Sequence, residues 1–144
     1  MAIIEESINI KCPVDKVFAY TTDAKRWPEW QPIIEAEQEP PGQMAVGTTY
    51  RWTSRRMGLR VKAIAKIKGY ELNKRWSKNI VTRGWVIEDN LSFDPIEGGT
   101  KFTLRWDMKI AGFLKLFSPM LARSARKSMK VALNDVKSIL EAQT

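Results

Sequence analysis

The chain has 144 residues, 44% of them hydrophobic and 28% charged, the composition of a single folded domain spanning 1–144 and not of a disordered chain. It has no histidine, one cysteine and a formal net charge of +8. Histidine-dependent triads and bases, His-ligated metals, cysteine-cluster zinc sites and an intrachain disulfide are thereby excluded, and no metal or cofactor is expected. The longest uncharged run, residues 40–50, is short and broken by Pro and Gly, unlike the ~20 apolar residues of a membrane span. The start has no basic n-region, and a cytoplasmic location is expected.

In chain order, Ile4, Ile8 and Ile10 share a phase within Ile3 to Lys11, the alternation of a strand. Pro13 opens a helical stretch with Val14, Val17 and Phe18 as its apolar stripe. Asp23 is placed to cap a second short helix through Trp30, made irregular by Pro28 and stopped by Pro32. A strand at Ile33 to Glu39 leads into the turn Pro40-Pro41-Gly42. Thr48 to Arg55 sets Thr48, Tyr50, Trp52 and Ser54 on one face, and Met57-Gly58 makes the next turn. Leu59 to Lys68 alternates Leu59, Val61, Ala63, Ala65 and Ile67 against Arg60, Lys62, Ile64, Lys66 and Lys68.

Lys74 to Thr82 holds Trp76 and Ile80 in phase, and Trp85 to Phe93 aligns Trp85, Ile87, Asp89, Leu91 and Phe93. Asp94-Pro95 and Gly98-Gly99 close a turn. Lys101 to Ile110 is the clearest strand, with Phe102, Leu104, Trp106, Met108 and Ile110 inward and Lys101, Thr103, Arg105, Asp107 and Lys109 outward. From Ser118 the period becomes helical. Ser118 serves as N-cap and Pro119 as first helical residue, or the helix starts near Phe113 with Pro119 as a kink. Leu121, Ala125, Met129, Ala132, Leu133, Val136 and Leu140 make its apolar stripe, and Arg123, Arg126, Lys127, Lys130 and Lys137 its polar side.

These elements predict an α+β fold in which a seven-stranded antiparallel sheet curves around one long C-terminal helix, with two short helices after the first strand. The helix alone can cover the apolar face, and the space between can hold a cavity. Tyr50, Trp52, Trp76, Trp85 and Trp106 all take the inward phase. They either line a pocket for a flat or greasy ligand, roofed by Leu121, Ala125 and Met129, or fill the core.

Glu6 and Asp89 share that inward phase. A carboxylate there must be protonated, hydrogen-bonded or paired. The two are the only candidates for acid–base chemistry. The alternatives are a bulge that turns the side chain outward, or an ion pair with an inward base such as Lys78. Arg105 and Asp107 read as a solvent-face cross-strand pattern. Cys12, with no histidine to activate it, reads as a small buried residue.

Charge is polarised along the chain: residues 1–50 hold 8 acids and 4 bases, and residues 51–144 hold 8 acids and 20 bases. Arg51, Arg55, Arg60, Lys62, Lys66 and Lys68 lie on the outward phase of two neighbouring strands, with Arg56 at their turn. They offer a positive surface to solvent, to an anionic membrane or to an acidic protein. Nucleic acid is disfavoured because the aromatics point inward. Residues 112–117, GFLKLF, serve as a cavity lid, a membrane-touching tip or plain packing.

The segment from Ser7 to Tyr20, the run Asp23-Ala24-Lys25-Arg26-Trp27-Pro28-Glu29-Trp30-Gln31-Pro32, the pieces Phe93-Asp94-Pro95 and Gly98-Gly99-Thr100, and the long final helix resemble in order the START/Bet v 1-like superfamily. The branch they resemble is the polyketide cyclase/dehydrase and lipid-transport-like one. The resemblance spans essentially the whole chain and implies the helix-grip fold with an apolar cavity. It departs from the plant allergen branch: residues 39–47 offer only Gly42 and Gly47, a poor phosphate cradle. Since fold does not set function, three readings stay open. They are binding or transport of a small hydrophobic ligand (lipid-like, aromatic or polyketide-like), a cyclase/dehydrase-type enzyme working in the same cavity without His, Cys or metal, and an interaction module using the basic face. The first is preferred; ligand identity and oligomeric state lie beyond the sequence.

Overall fold

The computed structural model describes residues 2–56, 58–82, 85–110 and 118–143. Seven strands form one antiparallel sheet: β1 (Ala2–Ile10), β2 (Ile33–Glu39), β3 (Thr49–Arg56), β4 (Leu59–Glu71), β5 (Arg75–Thr82), β6 (Trp85–Ile96) and β7 (Gly99–Ile110). Their spatial order is β1-β7-β6-β5-β4-β3-β2, so every neighbour after β2 is a simple hairpin and β1 closes on β7. Between β1 and β2 come helix α1 (Val14–Thr22) and a 3-10 helix (Ala24–Glu29). The long helix α2 (Ser118–Ala142) ends the chain.

Local chemistry explains most boundaries. Pro13 stands as the N-cap of α1, where no intrahelical N–H is needed. Thr21 and Thr22 donate their hydroxyls back to the carbonyls of Val17 and Phe18 at 2.8 and 2.7 Å, which lets both be buried. Asp23 Oδ1 accepts from Lys25 N at 3.1 Å and caps the 3-10 helix. Strand β6 runs on to Ile96, three residues past its expected end at Phe93 and through the Asp94-Pro95 expected in the turn, and Glu97-Gly98 alone make the hairpin loop. Pro95 is tolerated there because β5 has already ended opposite Ser92, so the side of β6 where its N–H is missing has no partner to lose. Strand β4 likewise extends to Glu71, through a bulge between Ile67 and Gly69 that keeps Ile67 and Tyr70 on the concave face.

Gly99 has the tightest backbone contact. A Cβ at this position would lie 2.0 Å from the Ile10 carbonyl oxygen, so only glycine lets β7 start against the end of β1. Thr100 then donates to the Cys12 carbonyl at 2.8 Å.

The core fills the concave face. Phe18 meets Phe93 edge-on at 5.1 Å and Phe93 stacks on Phe102 at 5.2 Å. Cys12 is buried, as expected. Helix α2 lies along β1 and buries Ala125, Met129, Ala132, Leu133, Val136 and Leu140. Polar ties fix its register along the strand: Arg126 to Glu6 at 2.7 Å, Lys137 to the Asn9 carbonyl at 2.7 Å, and Lys11 N to Glu141 at 2.9 Å. The expected turn at Met57 and the segment 112–117 lie outside the described residues.

Candidate functional site

Strand pairing stacks the concave face into rows. One row crosses the sheet as Ile4, Trp106, Asp89, Lys78 and Ile67. Its two central members are an acid and a base directly opposite each other, with side chains 9% and 4% exposed and 3.1 Å apart. Asp89 thus takes the third of the expected alternatives, an ion pair with Lys78. Its other oxygen accepts from the Trp106 indole at 2.9 Å.

The Lys78 ammonium sits over aromatic faces, 4.2 Å from the Trp76 ring centroid, 4.5 Å from that of Trp27 and 5.6 Å from that of Trp52. One N–H reaches a carboxylate and the rest of the charge is spread over indole quadrupoles. Burial pulls the Lys78 ammonium below the usual lysine range, and Asp89 opposes that pull.

Trp27 organises this cluster, and its phase on a short 3-10 helix hid it from strand-based reasoning. It is 1% exposed, donates to the Thr21 carbonyl at 2.9 Å, and touches Tyr50, Trp52 and Trp76 with centroids 5.0, 5.6 and 5.9 Å away. The tryptophan-proline pair in the capped segment after Asp23 was the signal available. Trp30, from the same segment, packs on Phe102.

The eight residues expected to line a pocket separate into two sets. Tyr50 and Trp76 are both 0% exposed, wedged behind Trp27. Burial pushes the Tyr50 phenol up to about 12, and its hydroxyl faces Met44 Sδ at 3.7 Å. Trp76 Nε1 meets no acceptor among the described residues, so its ring contacts alone hold this indole. Ala125 and Met129 are buried as well. These four are the packed wall, because neighbouring side chains already fill their surroundings.

Trp52, Trp85, Trp106 and Leu121 are half-buried. Trp85 and Trp52 belong to one row near an end of the concave face, Trp85, Thr82, Ala63 and Trp52, half-buried throughout, and Trp106 lies two rows further in, opposite Asp89. The opposite end, around Phe93 and Phe102, is sealed. Since Arg126 sits over Glu6 and the helix runs toward Asn9, Leu121 and Ala122 project toward the half-buried end.

Glu6 is engaged by the long helix. Its side chain is 23% exposed and clamped by Arg126 at 2.7 Å, with Lys130 at 3.9 Å. Arg105 and Asp107 pair with each other along their strand at 3.1 Å; across it Arg105 stands opposite Glu5 and Asn90, and Asp107 opposite Ile3 and Glu88. The outward basic set is not a continuous positive surface. Glu35, Glu37 and Glu39 come up beside it on β2, Arg51 pairs with Glu39 at 3.4 Å and Lys68 with Glu88 at 3.0 Å. Arg55 and Arg60 remain directly opposite each other at the hairpin end.

An open groove of about 430 Å³ lies beside these strands, bordered by Glu35, Glu37, Arg51, Trp52, Lys62 and Val81. Among the described residues, no three His, Cys, Asp or Glu side chains gather to hold a metal ion, and no helix is long and apolar enough to cross a membrane.

A curved antiparallel sheet gripping one long helix, with an aromatic concave face, defines a helix-grip architecture. Residues 1–141 match the family described as polyketide cyclase / dehydrase and lipid transport, and the chain belongs to it. Solved structures share the fold. The protein TTHA0849 from Thermus thermophilus superposes with a TM-score of 0.83 at 16% identity, over 99% of each chain. A START superfamily protein from Mycobacterium smegmatis gives 0.82 at 13%, also over 99% of each. The ZhuI aromatase/cyclase from Streptomyces sp. R1128 gives 0.78 at 14%, over 97% of this chain and 93% of that one. No curated protein matches the sequence. The family indicates a hydrophobic ligand-binding or polyketide cyclase-like role.

Proposed function

We propose that the protein binds a small hydrophobic, ring-bearing ligand at the half-buried end of the concave face. Trp52, Trp85, Trp106 and Leu121 touch the ligand, while Tyr50, Trp76, Ala125 and Met129 form the wall behind them. The observation that carries this is the three half-buried tryptophans on the inner face of the sheet. Large aromatics left partly open to solvent on a concave surface offer stacking area at low entropic cost. Binding is favoured over catalysis because both inward acids are already engaged: Asp89 by Lys78 and Trp106, Glu6 by Arg126. A cyclase-type reaction in the same space is the second reading, supported by the family itself.

The test is intrinsic tryptophan fluorescence against a panel of fatty acids, flavonoids and aromatic polyketides. A saturable quench or shift is expected from at least one class. Trp85→Ala should weaken that ligand roughly tenfold, about 1.4 kcal/mol, while the unfolding midpoint stays near the native value. No saturable response from any class would overturn the proposal.

A further inference from the structure

A second basic surface lies on helix α2. Between residues 118 and 134 the helix carries Arg123, Arg126, Lys127 and Lys130 and no acid, whereas its remaining turns mix Asp135, Lys137 and Glu141. A need for solubility alone would not concentrate charge in one half of a helix. Glu6 offsets part of this charge through Arg126 and Lys130. Arg123 and Lys127 are exposed and have no ion-pair partner among the described residues.

Two large apolar side chains share the outward arc. Met120 is 67% and Val131 54% exposed, and Met120, Arg123, Lys127 and Val131 recur at the three- and four-residue spacing that aligns them on one face. The opposite arc, with Ala125, Met129, Leu133 and Val136, is buried against the sheet. The outward arc is therefore a short amphipathic strip of its own, with bases flanking apolar points.

We infer that the first half of α2 docks the protein on an anionic lipid bilayer. Lysine and arginine near such a surface are each attracted by the lipid headgroup charge within a Debye length, and Met120 and Val131 gain an apolar phase that a nucleic acid backbone or an acidic protein loop does not offer. The same half-helix carries Leu121 and Ala122 at the half-buried end of the concave face, so docking brings that end close to the lipid. This last consequence rests on the ligand-site proposal; the docking itself does not.

The experiment is co-sedimentation of the full chain with phosphatidylcholine vesicles, with and without phosphatidylserine, at low and high salt. Partition is expected onto the serine-containing vesicles only, falling as salt rises. Arg123→Glu combined with Lys127→Glu should lower it at least about tenfold, since each reversal turns attraction into repulsion. Met120→Asp should lower it at low and high salt alike. Arg60→Glu with Lys62→Glu, on the outer sheet face, should leave it within about twofold. Unfolding midpoints of all variants confirm that each is folded. No native partition, equal partition onto neutral vesicles, or loss through the sheet-face pair but not through the helix pair would each overturn the docking. Because no ligand is present, any of these leaves the fluorescence titration to stand or fall separately.

Discussion

Removing Asp89 isolates the buried ion pair. Asp89→Ala leaves the Lys78 ammonium, 4% exposed, with indole faces but no counter-charge, and leaves Trp106 Nε1 without its acceptor. Breaking one partner of a buried pair costs about 3–5 kcal/mol, of which the orphaned indole N–H accounts for about 1 kcal/mol or more. At this chain length each kcal/mol moves the thermal midpoint by ~4 °C, so a fall of ~12–20 °C is expected.

The double variant Lys78→Met with Asp89→Leu removes both charges and keeps the volume. It should recover most of the single variant's loss, since two desolvation penalties disappear along with one attraction and only the Trp106 N–H stays without its acceptor. The pH dependence has a definite sign. Burial depresses the Lys78 ammonium in the folded state, so between its folded value and the ordinary lysine value near 10.5 the unfolded chain binds more protons, and stability rises with pH. Asp89 counteracts the depression; in Asp89→Ala the window opens at lower pH, and the defect shrinks as the solution becomes alkaline. Urea unfolding of native, single and double variants from neutral pH to about pH 10, just below the ordinary lysine value, measures this. A single variant losing less than ~1 kcal/mol, a double variant as unstable as the single, or a defect that grows with pH would refute the reasoning.

Trp27→Ala should cost about 3–5 kcal/mol in urea unfolding, because this 1% exposed ring joins Tyr50, Trp52 and Trp76. Gly99→Ala should cost about 3 kcal/mol or more, since its Cβ would meet the Ile10 carbonyl at 2.0 Å and neither backbone segment is free to yield; the same unfolding assay reads it. Glu6→Gln should cost less than ~1 kcal/mol and less still at high salt, as expected of a partly exposed pair with Arg126. Alkaline difference absorbance should reveal a phenol ionising near about 12 that Tyr50→Phe removes. Because the folded state holds that proton beyond the ordinary tyrosine value, the Tyr50 contribution to stability falls above pH ~10.

Period-two alternation placed the strands other than β2, which was bounded by Pro32 and the Pro40-Pro41-Gly42 turn, because a half-buried sheet forces every second side chain toward the core. The change to a 3.6-residue period at Ser118 located the helix for the matching reason. The same alternation set Glu6, Asp89 and the five aromatics on the inward phase and named Lys78 as a partner for an inward acid.

Phase gives a side of the sheet but not a depth. Only the tertiary structure separated Tyr50 and Trp76, sealed behind Trp27, from Trp52, Trp85 and Trp106, which stay half-open. Depth depends on which end of the sheet α1, the 3-10 helix and α2 cover, and those contacts join residues far apart in the chain. Trp27 itself sits on an irregular turn with no period to read, so its place at the centre of the cluster emerged only from packing. The split of the basic residues has the same origin. Spacing along β3 and β4 suggested one positive face, but pairing with β2 set Glu35, Glu37 and Glu39 beside it. A second basic set stands on the first half of α2, which leans on β1, where Glu6 is the acid that meets two of its bases, Arg126 and Lys130, among the described residues.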